Sequence, residues 1–204
     1  EVVPEGIPID ASVTRFILGQ EGEETIYTPR DADPGGNKTV HSPLLKDIYT
    51  VGMDENADYS KLSTLALDYT ELGIKQDITI RVITDIIDDS VAYFGVNPFK
   101  GDYKIKLVPY SDNSTITITA GRKLENSYLE LHKCHNFTID GDKNKLSIVA
   151  PNGCIKLNNS NNFTITSTNL AGYELKNVNS NGITLLNSSN ININNNTNKE
   201  KEII

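Results

Sequence analysis

Asn136-Phe137-Thr138-Ile139 returns as Asn162-Phe163-Thr164-Ile165, and again as Asn190-Ile191-Asn192-Ile193. Six residues before each Phe or Ile of that motif stands a leucine: Leu131, Leu157 and Leu185. Each leucine closes an alternating apolar pair, giving Leu129/Leu131, Ile155/Leu157 and Ile183/Leu185. The first step of the repeat is 26 residues and the second is 28. Short alternating strands at this period predict a β-solenoid, in which each turn buries its apolar face only by stacking on the next.

From residue 128 onward the pattern gives three short strands per turn. Face A is expected at Phe137/Ile139, Phe163/Ile165 and Ile191/Ile193, and face C at Leu129/Leu131, Ile155/Leu157 and Ile183/Leu185. Face B is expected at Leu146/Ile148 and then Tyr173/Leu175. Earlier strands are expected at Ile78/Ile80/Val82, Ile105/Leu107 and Ile116/Ile118. Residues 59–72 read as an amphipathic helix, with Leu62, Leu65, Ala66, Tyr69 and Leu72 on one face and Gly73 as its stop. Such a helix, placed just before the first strands, would cap an otherwise open solenoid end. The fold class is therefore all-β: a parallel β-helix with an N-terminal capping helix over residues 46–204. Residues 1–45 hold Pro4, Pro8, Pro29, Pro34, Gly35, Gly36 and Pro43 and read as a linker or the tail of a preceding domain, with Val13 to Leu18 as one candidate strand.

Sixteen of the residues from 151 to 198 are asparagine. Asparagine tolerates left-handed backbone, and its amide can stack in ladders. Asn136, Asn162 and Asn190 share one register just before face A and are expected to form an internal ladder that satisfies turn backbone.

The net charge of −8 is uneven: residues 1–102 carry −11 and residues 103–204 carry +3. The acidic half argues against a nucleic-acid partner, which needs a concentrated basic surface. No apolar stretch approaches the roughly 20 residues of a membrane span. The chain begins at Glu1 and its one methionine is Met53, so its start is expected to be that of a mature form or of a piece of a longer protein. The two cysteines, Cys134 and Cys154, fall out of stacking register with each other. Their stacked neighbours should be Ser160 and Tyr128, so two free thiols are expected.

The segment Asp47-Ile48-Tyr49-Thr50-Val51-Gly52, followed by Ala57-Asp58-Tyr59-Ser60-Lys61-Leu62, then Leu72-Gly73-Ile74 and Ile78-Thr79-Ile80, resembles the entry segment of secreted bacterial surface proteins with the pectate-lyase-like right-handed parallel β-helix fold. Phe137-Thr138-Ile139-Asp140-Gly141 is similar to the Ile-Asp-Gly turn that recurs in that group. The resemblance covers roughly residues 47–198. It implies an extracellular or cell-surface location in a bacterium. The group includes polysaccharide lyases and hydrolases as well as non-catalytic adhesins and surface repeats, and fold alone does not choose among them.

The outward residues bear on that choice. Face A offers Thr138, Thr164 and Asn192; face B offers Ser147 and Glu174; face C offers Glu130, Lys156 and Thr184, preceded by Lys106. No such column holds the paired carboxylates of a glycoside hydrolase. Asp140, Asp142 and Asn144 place oxygen ligands at alternate positions, as a calcium loop would, but the distal acid of an EF-hand is missing and an Asp-Gly turn is the first reading. Asp85, Asp88 and Asp89 read as a solvated loop, and Glu21, Glu23 and Glu24 as surface charge. His132, Cys134 and His135 lack a second ligand pair for zinc. For sugar binding the candidates are Tyr93, Phe99, Tyr103 and Tyr110, in a long connection before the regular turns, with Phe94 in the same connection and Tyr128 outside it as further candidates; the alternative is that several of these rings plug the irregular first turn of the solenoid. The expected function is a non-catalytic surface module, adhesive or structural, with polysaccharide as its ligand. A polysaccharide lyase or hydrolase and a passive stalk are the alternatives. After Ile193 only Asn-rich and Lys/Glu-rich sequence follows, so self-association through an open C-terminal end is also expected.

Overall fold

Alternation of apolar and polar residues turns one face of each short strand inward, and the repeat stacks these strands in three parallel sheets. The computed structural model describes residues 26–29, 38–41, 43–110, 114–172 and 181–199. The chain divides into two units, residues 1–44 and 45–204. The first holds an antiparallel hairpin, β1 (Ile26–Pro29) with β2 (Lys38–His41), in the segment read as a linker. Val13 to Leu18 lie outside the described residues, as do Glu21, Glu23 and Glu24.

The second unit is the β-solenoid. It opens with β3 (Ile48–Val51) and α1 (Leu62–Leu72). The first turn comprises β4 (Ile78–Val82), β5 (Ile86–Asp88) and β6 (Ala92–Phe94). The second comprises β7 (Ile105–Pro109), β8 (Ile116–Ala120) and β9 (Leu129–His132). The third comprises β10 (Phe137–Asp140), β11 (Leu146–Ala150) and β12 (Gly153–Asn158). The fourth comprises β13 (Asn161–Thr166), β14 (Thr168–Gly172) and β15 (Asn181–Leu186), and part of a fifth comprises β16 (Ser189–Asn194) and β17 (Thr197–Lys199). Sheet A stacks β3, β4, β7, β10, β13 and β16; sheet B stacks β5, β8, β11, β14 and β17; sheet C stacks β6, β9, β12 and β15. Every one of these pairings is parallel.

Faces A and C follow the expected register: Ile139 pairs with Ile165, Ile165 with Ile193, Leu131 with Leu157 and Leu157 with Leu185. Two positions differ. Leu146 and Ile148 pair with Thr168 and Leu170, not with Tyr173 and Leu175, which lie outside the described residues together with Glu174. The corner between β10 and β11 has five residues, whereas one residue, Ser167, turns the chain between β13 and β14. A period counted over the whole turn hides that change at a single corner. Lys106 also belongs to sheet A, where it pairs with Thr138; the predecessor of Glu130 on sheet C is Tyr93.

An aromatic line runs through the core. The rings of Tyr69 and Phe94 are 5.3 Å apart, Phe94 and Phe137 meet edge-on at 5.1 Å, and Phe137 and Phe163 stack at 6.4 Å. Phe94 and Tyr128 are both fully buried, so neither is a surface ring. The helix is one turn shorter at its start than its periodicity implied. It buries Leu62, Leu65, Ala66 and Tyr69, and Leu72 is half-buried. It lies along the free edge of β6: the Thr70 hydroxyl accepts from Gly95 N–H at 3.0 Å and faces the Tyr93 carbonyl at 3.1 Å. β3 covers the corresponding edge of β4. Together they pair or cover strand edges that would otherwise template association.

The helix lacks a side-chain cap of its own at Lys61. Asp88, expected in a solvated loop, supplies one from β5 and is fully buried. The Ile86-Ile87-Asp88 alternation turns Asp88 inward, where Ser63 and Tyr128 bond its carboxylate. Both cysteines are free and buried. Cys134 N–H donates to Ser160 Oγ at 3.2 Å, and Tyr128 N–H donates to Gly153 O beside Cys154.

Candidate functional site

Sheet C places four side chains in one outward column, because the residue between two inward ones must face out. Tyr93 pairs with Glu130, Glu130 with Lys156 and Lys156 with Thr184. His132, two residues after Glu130, shares that outer face, and Asn158 pairs with it on the next strand. The His132 ring stacks on Tyr93 with centroids 6.3 Å apart and planes 21° from parallel. Tyr93 remains 40% exposed.

Glu130 lies between this aromatic pair and Lys156. Lys156 Nζ is 3.6 Å from Glu130 Oε1, close enough for charge attraction but beyond a normal hydrogen bond. Oε1 is buried and has no hydrogen-bond partner among the described residues. Beside Tyr93, a shallow cleft of about 270 Å³ runs between α1 and β6. Leu67, Val91 and Tyr93 give it apolar walls, and Thr64 and Ser90 add hydroxyls. Leu67 is exposed on the outer side of the helix. The face thus offers an aromatic platform, a carboxylate, an ammonium and several neutral hydrogen-bonding groups.

The four aromatic candidates do not form one platform. Tyr93 is in β6, Phe99 and Tyr103 are in the connection from sheet C to sheet A, and Tyr110 follows β7. Lys75 Nζ sits 4.6 Å from the Phe99 ring centre, and the Arg81 guanidinium is 4.9 Å from that of Tyr110. These cation–π contacts occupy one face of each ring. Tyr103 lies against Gly101, where an added Cβ would meet its ring at 2.4 Å. His132 was not among the aromatic candidates; its position two residues beyond Glu130 on an alternating strand was the available signal.

Asp140, Asp142 and Asn144 hold the corner between β10 and β11. Asp140 pairs with Lys106 at 3.0 Å and Asp142 with Lys145 at 3.0 Å. Asp140 Oδ1 accepts from Asp142 N–H, and Asn144 N–H donates to Ser167 O. Among the described residues no three His, Cys, Asp or Glu side chains cluster as metal ligands. Asp85 accepts from Thr117 N–H, and Asp89 lies 4.0 Å from Lys61. His135 Nδ1 accepts from Asn161 N–H. Cys134 Sγ contacts the Tyr69 hydroxyl at 3.8 Å, and burial pushes its thiol up to about 12. The same cause, burial, raises the Tyr69 and Tyr128 hydroxyls.

Asn162 Nδ2 donates to Asn136 Oδ1 at 2.8 Å, and Asn190 Nδ2 donates to Asn162 Oδ1 at 2.7 Å. All three have left-handed backbone, with φ of 57°, 58° and 59°. This ladder runs along the outer corner between sheets C and A, with Asn162 and Asn190 exposed, rather than inside the solenoid. Inside that corner Ser160 is the buried polar group: its hydroxyl faces the Leu131 carbonyl, and its N–H donates to Ser188 Oγ.

Compared with family models, curated proteins and solved structures, the chain matches none. The class of protein is therefore set by its architecture, a parallel β-solenoid with one short helix among the described residues. Among the described residues no helix is long and apolar enough to cross a membrane.

Proposed function

We propose that this chain is the capped opening section of an exported bacterial β-helix, a non-catalytic adhesive or structural module that binds polysaccharide on the outer face of sheet C. The observation that carries this reading is the exposed Tyr93–His132 stack beside Glu130, Lys156 and the α1–β6 cleft. A sugar ring presents C–H groups to an aromatic face and hydroxyls to surrounding polar groups, and this surface offers both. The described carboxylates of the regular outer faces, Glu130 and Asp140, lie on different sheets, and each faces a lysine. That separation favours binding over the two-carboxylate chemistry of a hydrolase.

The test is an array of neutral and acidic polysaccharides followed by titration calorimetry on any hit. Selective binding that Tyr93→Ala reduces tenfold or more supports the proposal. Binding that survives both Tyr93→Ala and His132→Ala would move the site elsewhere, and no binding would favour the passive stalk.

Self-association belongs to the same proposal. Leu185 and Ile193 occupy inward register positions, yet they are 44% and 47% exposed. Sedimentation of a strictly monomeric chain at high concentration would remove this part of the reading.

A further inference from the structure

The asparagine-rich corners carry a second pattern. Asn-x-Ser/Thr, with x other than proline, occurs at Asn136, Asn158, Asn162, Asn187 and Asn195 within the described solenoid. Two more, at Asn37 and Asn113, lie outside the described residues. This triplet is the acceptor signal for N-linked sugar in exported proteins.

The fold treats the five differently. Asn136 and Asn162 are joined in the corner ladder, and Asn162 has a ladder partner on either side. Asn158 is half-buried, and its Oδ1 accepts from Asn159 Nδ2 at 2.9 Å. Asn187 and Asn195 are exposed, and among the described residues neither side-chain amide has a hydrogen-bond partner. Their neighbours in the triplets do the structural work. Ser188 Oγ accepts from Ser160 N–H, Ser189 Oγ donates to Asn161 Oδ1, and Asn196 Nδ2 donates to Ile165 O.

Backbone conformation does not by itself demand asparagine at 187 or 195. Both are left-handed, at φ 48° and 52°. Lys133 holds the same corner as Asn187 at φ 51°, and Ser167 the same corner as Asn195 at φ 50°. Other residue types thus occupy these corners, Ser167 one turn before Asn195 and Lys133 two turns before Asn187, with Asn159 at φ 52° in the turn between.

We infer that Asn187 and Asn195 are acceptor sites for N-linked oligosaccharide, placed at exposed corners where a sugar extends into solvent without disturbing the ladder. The donor class is a lipid-linked oligosaccharide phosphate. In the transfer the bond from asparagine Nδ2 to the anomeric carbon forms and the bond from that carbon to the phosphate oxygen breaks. The lipid phosphate leaves with the electron pair, and the proton lost from Nδ2 neutralises it. A sugar on Asn162 would instead have to leave from between the Asn136 and Asn190 amides. The inference rests on export, because the transfer needs that compartment; it does not depend on polysaccharide binding.

The experiment is cell fractionation of the native source, then intact-mass measurement and glycopeptide mapping of the recovered protein. The expected result is exported protein heavier than its sequence by whole sugar units, with sugar on Asn187 and Asn195 and none on Asn162. Asn187→Lys and Asn195→Ser, which copy Lys133 and Ser167, should each remove one sugar chain and leave the far-ultraviolet circular dichroism unchanged. Exported protein at its bare sequence mass, or with Asn162 occupied as fully as Asn187, overturns the inference while leaving export intact. Protein found only inside the cell overturns export, and the inference falls with it.

Discussion

The carboxylate of Asp88, fully buried on β5, accepts from the Ser63 N–H at 2.8 Å and from the Ser63 hydroxyl at 2.6 Å. Ser63 is the second residue of α1, so Asp88 satisfies a helix N-terminal donor from another element. Its Oδ2 also accepts from the Tyr128 hydroxyl at 2.9 Å. One side chain thus ties the cap to the first two turns.

Asp88→Ala should therefore cost more than an ordinary cap. A lost cap costs about 1 kcal/mol, and a buried hydroxyl left unpaired adds roughly 1–3 kcal/mol. Urea unfolding should show a loss of about 2–4 kcal/mol by this reasoning. Asp88→Asn keeps one acceptor oxygen and should lose less. A near-neutral Asp88→Ala would mean that the helix docks without this bond.

Gly141 meets a different constraint. A Cβ added there would lie 1.9 Å from Ser167 O and 2.6 Å from Ser167 C, both backbone atoms of the next turn. Gly141 N–H also donates to Thr166 O at 2.8 Å. Gly141→Ala must push one turn away from the next, at a cost of roughly 1–3 kcal/mol or more by analogy with overpacked cores. Gly141→Ala at wild-type stability in thermal unfolding would show that the turns can separate freely at this corner.

The surface ladder can be separated from its backbone. At Asn162 an alanine loses both amide bonds and holds φ 58°, whereas a glycine loses the bonds but not the conformation. Asn162→Ala should lose about 1–3 kcal/mol, counting roughly 1–2 for the left-handed conformation. Asn162→Gly should be the milder of the two. Equal losses in chemical denaturation would assign the cost to the amides alone.

The ladder's register was legible because Asn136, Asn162 and Asn190 keep a fixed distance from the inward Phe or Ile of sheet A. Its side was not, since left-handed backbone at the corner turns those amides outward. Sheet C was legible for the same reason as sheet A: the corner joining the two keeps one length, six residues from Leu131 to Phe137, from Leu157 to Phe163 and from Leu185 to Ile191. Sheet B was misread beyond Ile148 because the five-residue corner ending at Lys145 becomes Ser167 alone. β5 and β6 have three residues each, too few for alternation to stand out, so from sequence Tyr93 reads as part of a long connection. Asp88 was hidden by its acidic neighbours, although its spacing from Ile86 matches that of two inward residues. The Tyr93–His132 pair joins different turns, a relation visible only once β6 is recognised as the strand before β9.

The buried thiols give the fold a pH dependence of fixed sign. Burial pushes Cys134 from 9.0 up to about 12 and Cys154 from 9.0 up to about 11. An unfolded thiol releases its proton near its ordinary value while the folded one keeps it, so the unfolded state gains from rising pH and the native state does not. The thiol contribution is fully present below pH 9 and is lost as pH rises through the folded values, and the raised tyrosines Tyr69 and Tyr128 act in the same direction. Urea midpoints should fall above about pH 9, with a smaller fall in Cys134→Ser. At neutral pH a thiol reagent should react slowly with the native chain and release two equivalents once it is unfolded without reductant. Rapid native reaction, or rising stability between pH 9 and 11, would contradict thiols held protonated in the core.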